Sequence, residues 1–229
     1  MYYGGDPLFM IVALLLLVLS IVAQRRVQSA FNKYSKVPNS TGLTGAQAAA
    51  RILDGHGLSN VEIERVQGQL TDHYDPRSKT LRLSAPVYDS QSIAAVGIAA
   101  HEAGHALQDQ ARYPALALRS VMVPTVQFGS KLGPILFIIG ILVGLTPLAW
   151  LGVILFAAVA VFSLVTLPVE FNASARAKQL LVADGILAPQ EMGGVNKVLN
   201  AAAWTYVAAA LSAVVWLLRY ISILTGRRR

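Results

Sequence analysis

Four stretches of this chain are apolar over roughly the length of a bilayer, and that limits what it can fold into. A hydrocarbon core about 30 Å thick needs roughly 20 apolar residues in a helix, and in lipid the backbone must bond to itself. The first stretch, Leu8 to Ala23, is slightly short. Gln24, Arg25 and Arg26 follow it with no small-residue cleavage site, so it reads as an anchor and not as a cleaved signal. The second ends at Thr146 and begins between Val126 and Gly133, with Lys131 blurring its start. The third runs from Pro147 to Leu167, and the fourth from about Ala201 to Leu224, with Arg219 near its end. Gly144-Leu-Thr-Pro147 reads as a tight turn, which makes the second and third a hairpin. Gly140 with Gly144, and Ala202 with Ala209 and Ala213, fall at helical spacing and are expected to let helices approach closely. The composition agrees: 14% of residues are charged, against about 25% in a soluble domain.

Charge sets the expected orientation. Residues 24 to about 131 and 169 to 200 fall on one side and carry most of the lysines and arginines, from Arg25 to Lys197. The short N-terminus and the hairpin turn, on the other side, carry none. By the positive-inside rule the charged side is cytoplasmic, in a multi-pass protein of the cell membrane. Arg227, Arg228 and Arg229 disagree: either this tail is an exception or the fourth segment does not fully cross. The net charge of +7 does not call for nucleic acid, because no basic stripe is interleaved with aromatics. With no cysteine, disulfides and thiolate metal sites are excluded, which fits a reducing compartment.

Residues 36 to 118 form the largest polar block. Thr44-Gly-Ala-Gln47 is a capping box that should open a helix running to about Leu53, stopped by Gly55 and Gly57. His56, between those glycines, is expected to face the helix dipole. Val61 to Val66 alternates as a half-buried strand. His73-Tyr74 and Thr80 to Leu83 flank the turn Asp75-Pro-Arg-Ser78 as a hairpin. Asp89, Ser90 or Ser92 can cap the next helix, which should reach about Gln110. The block is too small to bury a large core alone and is expected to pack on the membrane helices.

That last helix contains "AAHEAGHALQ", with two of the chain's four histidines. Residues four apart share a helix face, so His101 and His105 can hold one metal ion. Glu102 then stands beside the ion, not on it, where it can take a proton from a metal-activated water. This is the H-E-x-x-H arrangement of a zinc peptidase. Small neighbours leave room for a metal and a substrate. A third ligand is needed, and no histidine follows His105. Asp109, one turn on, would bend the helix too far and is better placed to orient a ligand imidazole. Glu191 looks like part of a loop entering a surface helix. Glu170, in "LPVEFNASARA", is a carboxylate at the membrane boundary, costly unless engaged. It is the expected third ligand, with Ser174 brought round to the same face.

"AAHEAGHALQ", "DHYDP" and "LPVEFNASARA" together resemble the YugP-type family of membrane neutral zinc metallopeptidases, over most of the chain. They are more distantly similar to HtpX-type and CAAX prenyl proteases. The resemblance implies a mostly α membrane protein: four transmembrane helices and a small α+β, zincin-like catalytic unit of gluzincin type on the membrane face. The implied divisions are an anchor (1–23), a cytoplasmic catalytic unit with the zinc helix (24–118), a two-span hairpin (119–168), a cytoplasmic helix with the third ligand (169–200), and the last span with its basic tail (201–229). It also implies one Zn²⁺ and peptide or membrane-protein substrates. In the distant relatives the glutamate helix reads N-E-x-x-x-D. Here Val169 precedes Glu170 and Ser174 replaces the aspartate, leaving Asp109 or Asn172 to support a zinc histidine. By the same resemblance, His73-Tyr74 lies on a strand lining the cleft, where His73 can hydrogen-bond an oxyanion. The rival function is a non-enzymatic, zinc-stabilised assembly or accessory protein, and an unligated Glu102 argues against it. A serine hydrolase would need a G-x-S-x-G pattern, which is absent.

Overall fold

The computed structural model of the chain describes residues 7–226, so the basic tail Arg227–Arg229 lies outside the described residues. The elements in order are α1 (Pro7–Tyr34), α2 (Gly45–Gly55), β1 (Glu62–Val66), β2 (His73–Asp75), β3 (Thr80–Ser84), α3 (Ala85–Tyr88), α4 (Ile93–Gln110), α5 (Pro114–Leu142), α6 (Thr146–Ala183) and α7 (Met192–Gly226). α1, α5, α6 and α7 (the last with the turn before it) are long and apolar enough to span a membrane. They outrun the apolar stretches in the sequence. α1 continues past Ala23 through Gln24, Arg25 and Arg26 to Tyr34, and the segment 169–200 is no single helix but the end of α6, a turn at Gly185 and the start of α7.

The chain divides into two compact units. Among the described residues the first holds 7–22, Ala117–Pro168 and 205–226. Its outer faces expose Leu14, Ile138, Ile154 and Leu211, as suits lipid contact. α5 and α6 pack through glycines. A methyl group on Gly129 would come within 2.7 Å of the Leu155 carbonyl oxygen, and one on Gly140 would overlap the Ala149 backbone. Gly144 belongs to the turn and not to this seam: its φ of +71° is a left-handed conformation that glycine adopts freely. In α7 the expected alanine face is only partly present. Ala213 is buried but Ala209 is exposed, while Ala208 and Ala210 are buried in its place. Phe137 and Tyr220 stack at 4.2 Å, and the Arg219 guanidinium lies 4.7 Å from the centre of the Phe9 ring, which gives a cation among apolar residues a partner.

The second unit, Ala23–Leu116 with Val169–Trp204, carries the polar block. Its sheet has the order β1-β3-β2. β2 and β3 form the expected antiparallel hairpin, with His73 opposite Arg82, while β1 pairs parallel to β3. Both halves of the Thr44 capping box are made, and α2 ends at Gly55. Ser92 caps α4 by accepting from the Ala95 N–H. α4 is buried almost all round, between Leu81 and Leu83 of β3, Ile52 and Leu53 of α2, and Val195 and Val198 of α7. A helix so enclosed must be slim, which explains its alanines and glycines. Its closest approach is at Gly104, where an added Cβ would sit 2.8 Å from the Ala173 carbonyl oxygen of α6.

That approach sets the spacing of α4 and α6. Gly104→Val should force the two helices apart at a cost of about 1–3 kcal/mol. It should lower the thermal unfolding midpoint of the detergent-solubilised protein, and an unchanged midpoint would show that the contact does not matter.

Candidate metal centre

α4 presents His101 and His105 on one face, and the α6 backbone held against Gly104 delivers Glu170 to the same point. Glu170 Oε2 lies 3.2 Å from His101 Nε2 and 3.8 Å from His105 Nε2. The two rings meet edge to face, centroids 4.8 Å apart. One donor atom from each of the three residues falls within 4.8 Å of the others, a group positioned to bind a metal ion. Tetrahedral zinc with bonds of about 2.0–2.2 Å holds neighbouring donors about 3.3 Å apart; the His101–Glu170 pair has that separation, and the His105–Glu170 pair is wider at 3.8 Å. Two imidazoles and a carboxylate also suit zinc chemically.

The other ring nitrogens are held too. His101 Nδ1 is 3.1 Å from Ser174 Oγ, and His105 Nδ1 is 3.0 Å from Gln108 Oε1. Gln108 donates its amide N–H groups to the Val169 carbonyl (2.8 Å) and to Asn172 Oδ1 (3.0 Å), which also accepts from Arg176 Nε at 2.9 Å. The amide nitrogen is thereby committed, so Gln108 Oε1 must accept, and His105 must carry its proton on Nδ1. That leaves the Nε2 lone pair facing Glu170, as metal binding requires. Glu170 is 2% exposed, His105 6% and Glu102 8%, so the site is largely dry.

The sequence-derived candidates divide clearly. His101, His105 and Glu170 come together, Ser174 supports His101, and Asn172 acts one step further back through Gln108. Asp109 does not orient a metal-site imidazole as expected: its carboxylate accepts from the Tyr74 hydroxyl at 2.8 Å and pairs with Lys79. Burial pushes the Tyr74 hydroxyl well above its usual range, and Asp109 adds to the shift. His73 is not brought to the cluster. It is exposed, and its Nδ1 lies 2.9 Å from the Thr71 carbonyl. Successive strand residues face opposite ways, and since buried Tyr74 points at α4, His73 points away. Glu191 instead holds Ser40 through the backbone N–H and the hydroxyl, both at 2.7 Å, and accepts from the Ala188 N–H. His56 caps α2, with its ring 3.5 Å from Asp184.

Two further residues were not anticipated. Gln108 is one, though its place three residues after His105 was a usable signal. Asp72 is the other. Its carboxylate accepts from the Ser84 N–H at 2.7 Å and from the Ser84 hydroxyl. Burial raises its pKa, the Ser84 bonds oppose that, and the charge of Glu102 raises it further.

The family model described as "Putative neutral zinc metallopeptidase" matches residues 9–225. The "Putative membrane protease YugP" of Bacillus subtilis (strain 168) is 54% identical over 221 residues, which are 96% of this chain and 98% of that protein. No solved structure matches the chain. The family match takes in the four apolar helices as well as the metal-binding group, and the chain belongs to this zinc metallopeptidase family.

Proposed function

We propose that the protein is a membrane-embedded zinc endopeptidase that hydrolyses peptide bonds of proteins or peptides at the cytoplasmic membrane surface. The observation that carries this reading is three ligand atoms within 4.8 Å of one another with a second buried acid, Glu102, outside the donor group among the described residues. A structural zinc site normally closes with four protein ligands and has no use for such a group. His101, His105 and Glu170 would hold the ion. When bound, zinc lowers the pKa of a coordinated water to near 7 and polarises a carbonyl. Glu102 accepts the proton of the attacking water as its oxygen bonds to the scissile carbonyl carbon, and delivers that proton to the amine nitrogen as the C–N bond breaks. Ser174 and Gln108 keep the imidazoles in register throughout. β2 lies at a sheet edge, where an extended peptide can add as a further strand. The cytoplasmic orientation rests on the lysines and arginines between residues 24 and 118.

Glu102→Gln should retain zinc and lose proteolysis by about 10²–10⁴-fold, since an amide cannot accept the proton. Metal content and turnover of a model peptide measure both, and near-normal turnover would remove Glu102 from the mechanism. Equilibrium dialysis separates the two downstream glutamates: Glu170→Ala should lose zinc, and Glu191→Ala should keep it, losing only the contacts to Ser40 and Ala188. Weaker zinc binding by Glu191→Ala would make Glu170 the wrong ligand. Orientation is tested with single cysteines, the native chain having none. With a membrane-impermeant maleimide, Thr146→Cys in the exposed hairpin turn should react in intact cells and Ser78→Cys only after lysis. The reverse pattern would put the active site on the outer face.

A further inference from the structure

Away from the metal centre, α1 and α7 enclose an open cavity of about 410 Å³. Arg26 and Lys33 of α1 and Lys197 of α7 line it, and no carboxylate does. Among the described residues none of these three cations is paired with an acid. Ser29 adds a hydroxyl. Asn200 adds an amide whose oxygen already accepts from Lys178 Nζ at 2.8 Å, so what it offers a ligand is its N–H donors. Each contribution suits an anion with several acceptor oxygens.

The cavity's place along both helices narrows the ligand. Arg26 comes three residues after Ala23, the end of the first apolar stretch, and Trp204 comes three residues after Ala201, where the last one begins. On α1 the lining begins at Arg26, just past the apolar stretch, and runs along the polar end of the helix, while on α7 it crosses the polar–apolar boundary from Lys197 to Trp204. Trp204 is half-exposed at its apolar end, the level at which membrane proteins place tryptophan. A soluble anion would need the cations but not this boundary. A lipid needs both: a basic pocket for the headgroup and an apolar helix surface for its chains.

We propose that Arg26, Lys33 and Lys197, with Ser29 and Asn200, form a binding site for the phosphate headgroup of an anionic phospholipid. Occupancy would bridge α1 and α7 at the membrane boundary.

Full-length protein in neutral detergent is titrated with phosphatidylglycerol, with phosphatidylcholine and with inorganic phosphate, and bound lipid is counted by native mass spectrometry. Phosphatidylglycerol should bind as one retained lipid, and the other two far more weakly. Removing a cation near the surface should cost about fivefold in affinity, so Lys33→Gln with Lys197→Gln should weaken binding about 25-fold. Arg51→Gln with Arg77→Gln, the same charge removed outside the cavity, should leave binding unchanged. Equal loss in both double variants would mean diffuse attraction, and phosphate binding as well as lipid would mean a soluble-anion site; either result overturns the proposal. A diazirine-bearing phosphatidylglycerol tests the unmodified protein independently of how the variants fold. Adducts should fall within residues 26–34 and 197–204, and adducts only elsewhere would refute the site.

Discussion

The Glu170 carboxylate is buried between two imidazoles, and the site cannot be described without accounting for its charge. A lone carboxylate in so dry a place would cost several kcal/mol. Here Glu170 faces His101 and His105 at hydrogen-bond range or just beyond, and the same three donors have the spacing of a zinc site. Each contact is made across α4 and α6, and the two backbones are close enough for it only because residue 104 has no side chain. The alanines of α4 follow from the same demand. A helix enclosed by a sheet and by other helices must be thin if its histidines are to meet a ligand from α6. Because the ligands come from segments far apart in sequence, zinc binding and folding of this unit are coupled.

The support behind the histidines is neutral. Ser174 stands where the N-E-x-x-x-D pattern of the distant membrane proteases puts an aspartate, and its hydroxyl reaches His101 Nδ1. Gln108 takes the equivalent role for His105, and Asn172 and Val169 hold Gln108 in turn. A carboxylate behind an imidazole makes it a more basic ligand. With two neutral supports, Glu170 would be the one negative charge in the group that could hold a divalent ion, and a bound ion would keep more of its acidity toward water. Ring orientation is still held: the Ser174 hydroxyl fixes His101, and the Gln108 relay fixes His105.

Much of this was legible in the sequence because it is local or periodic. The spans, the Gly144 turn, the capping box, the hairpin and the H-E-x-x-H face all rest on neighbours within a few residues. Glu170 was reached by elimination, which worked because histidine and cysteine are so scarce here. Asp109 misled for a reason that helix geometry exposes. At about 100° per residue, Asp109 lies roughly 80° round α4 from His101, whereas Gln108 lies only about 20° away. Gln108 lies on the side of His101 away from Asp109, where Val169 and Asn172 of α6 hold its amide, while Asp109 faces Tyr74 and Lys79. His73 failed by strand alternation, once buried Tyr74 fixed which face is inward. The parallel pairing of β1 with β3 left no trace in the sequence, because no turn signal specifies a non-local partner. The polar end of α1 and the continuity of the third span with the helix that carries Glu170 were missed because an apolar count stops at the first charges, although the backbone does not.

That continuity of helices ties the chemistry to the membrane. α6 is unbroken from Thr146 to Ala183, and Glu170 follows the end of its apolar stretch at Leu167 by three residues. At 1.5 Å per residue that is about 4.5 Å along the helix axis, so on α6 the position of Glu170 comes less than one turn after the apolar stretch. Under the proposed function, a ligand at the polar end of a span favours peptide bonds that come close to the boundary. Extended segments next to a membrane-spanning helix can do so, while a compact folded domain has no strand free to lie along the short edge of β2. Under that same reading, membrane-proximal, unfolded segments would be favoured by the place of Glu170 on α6, before any side-chain preference in the cleft is considered.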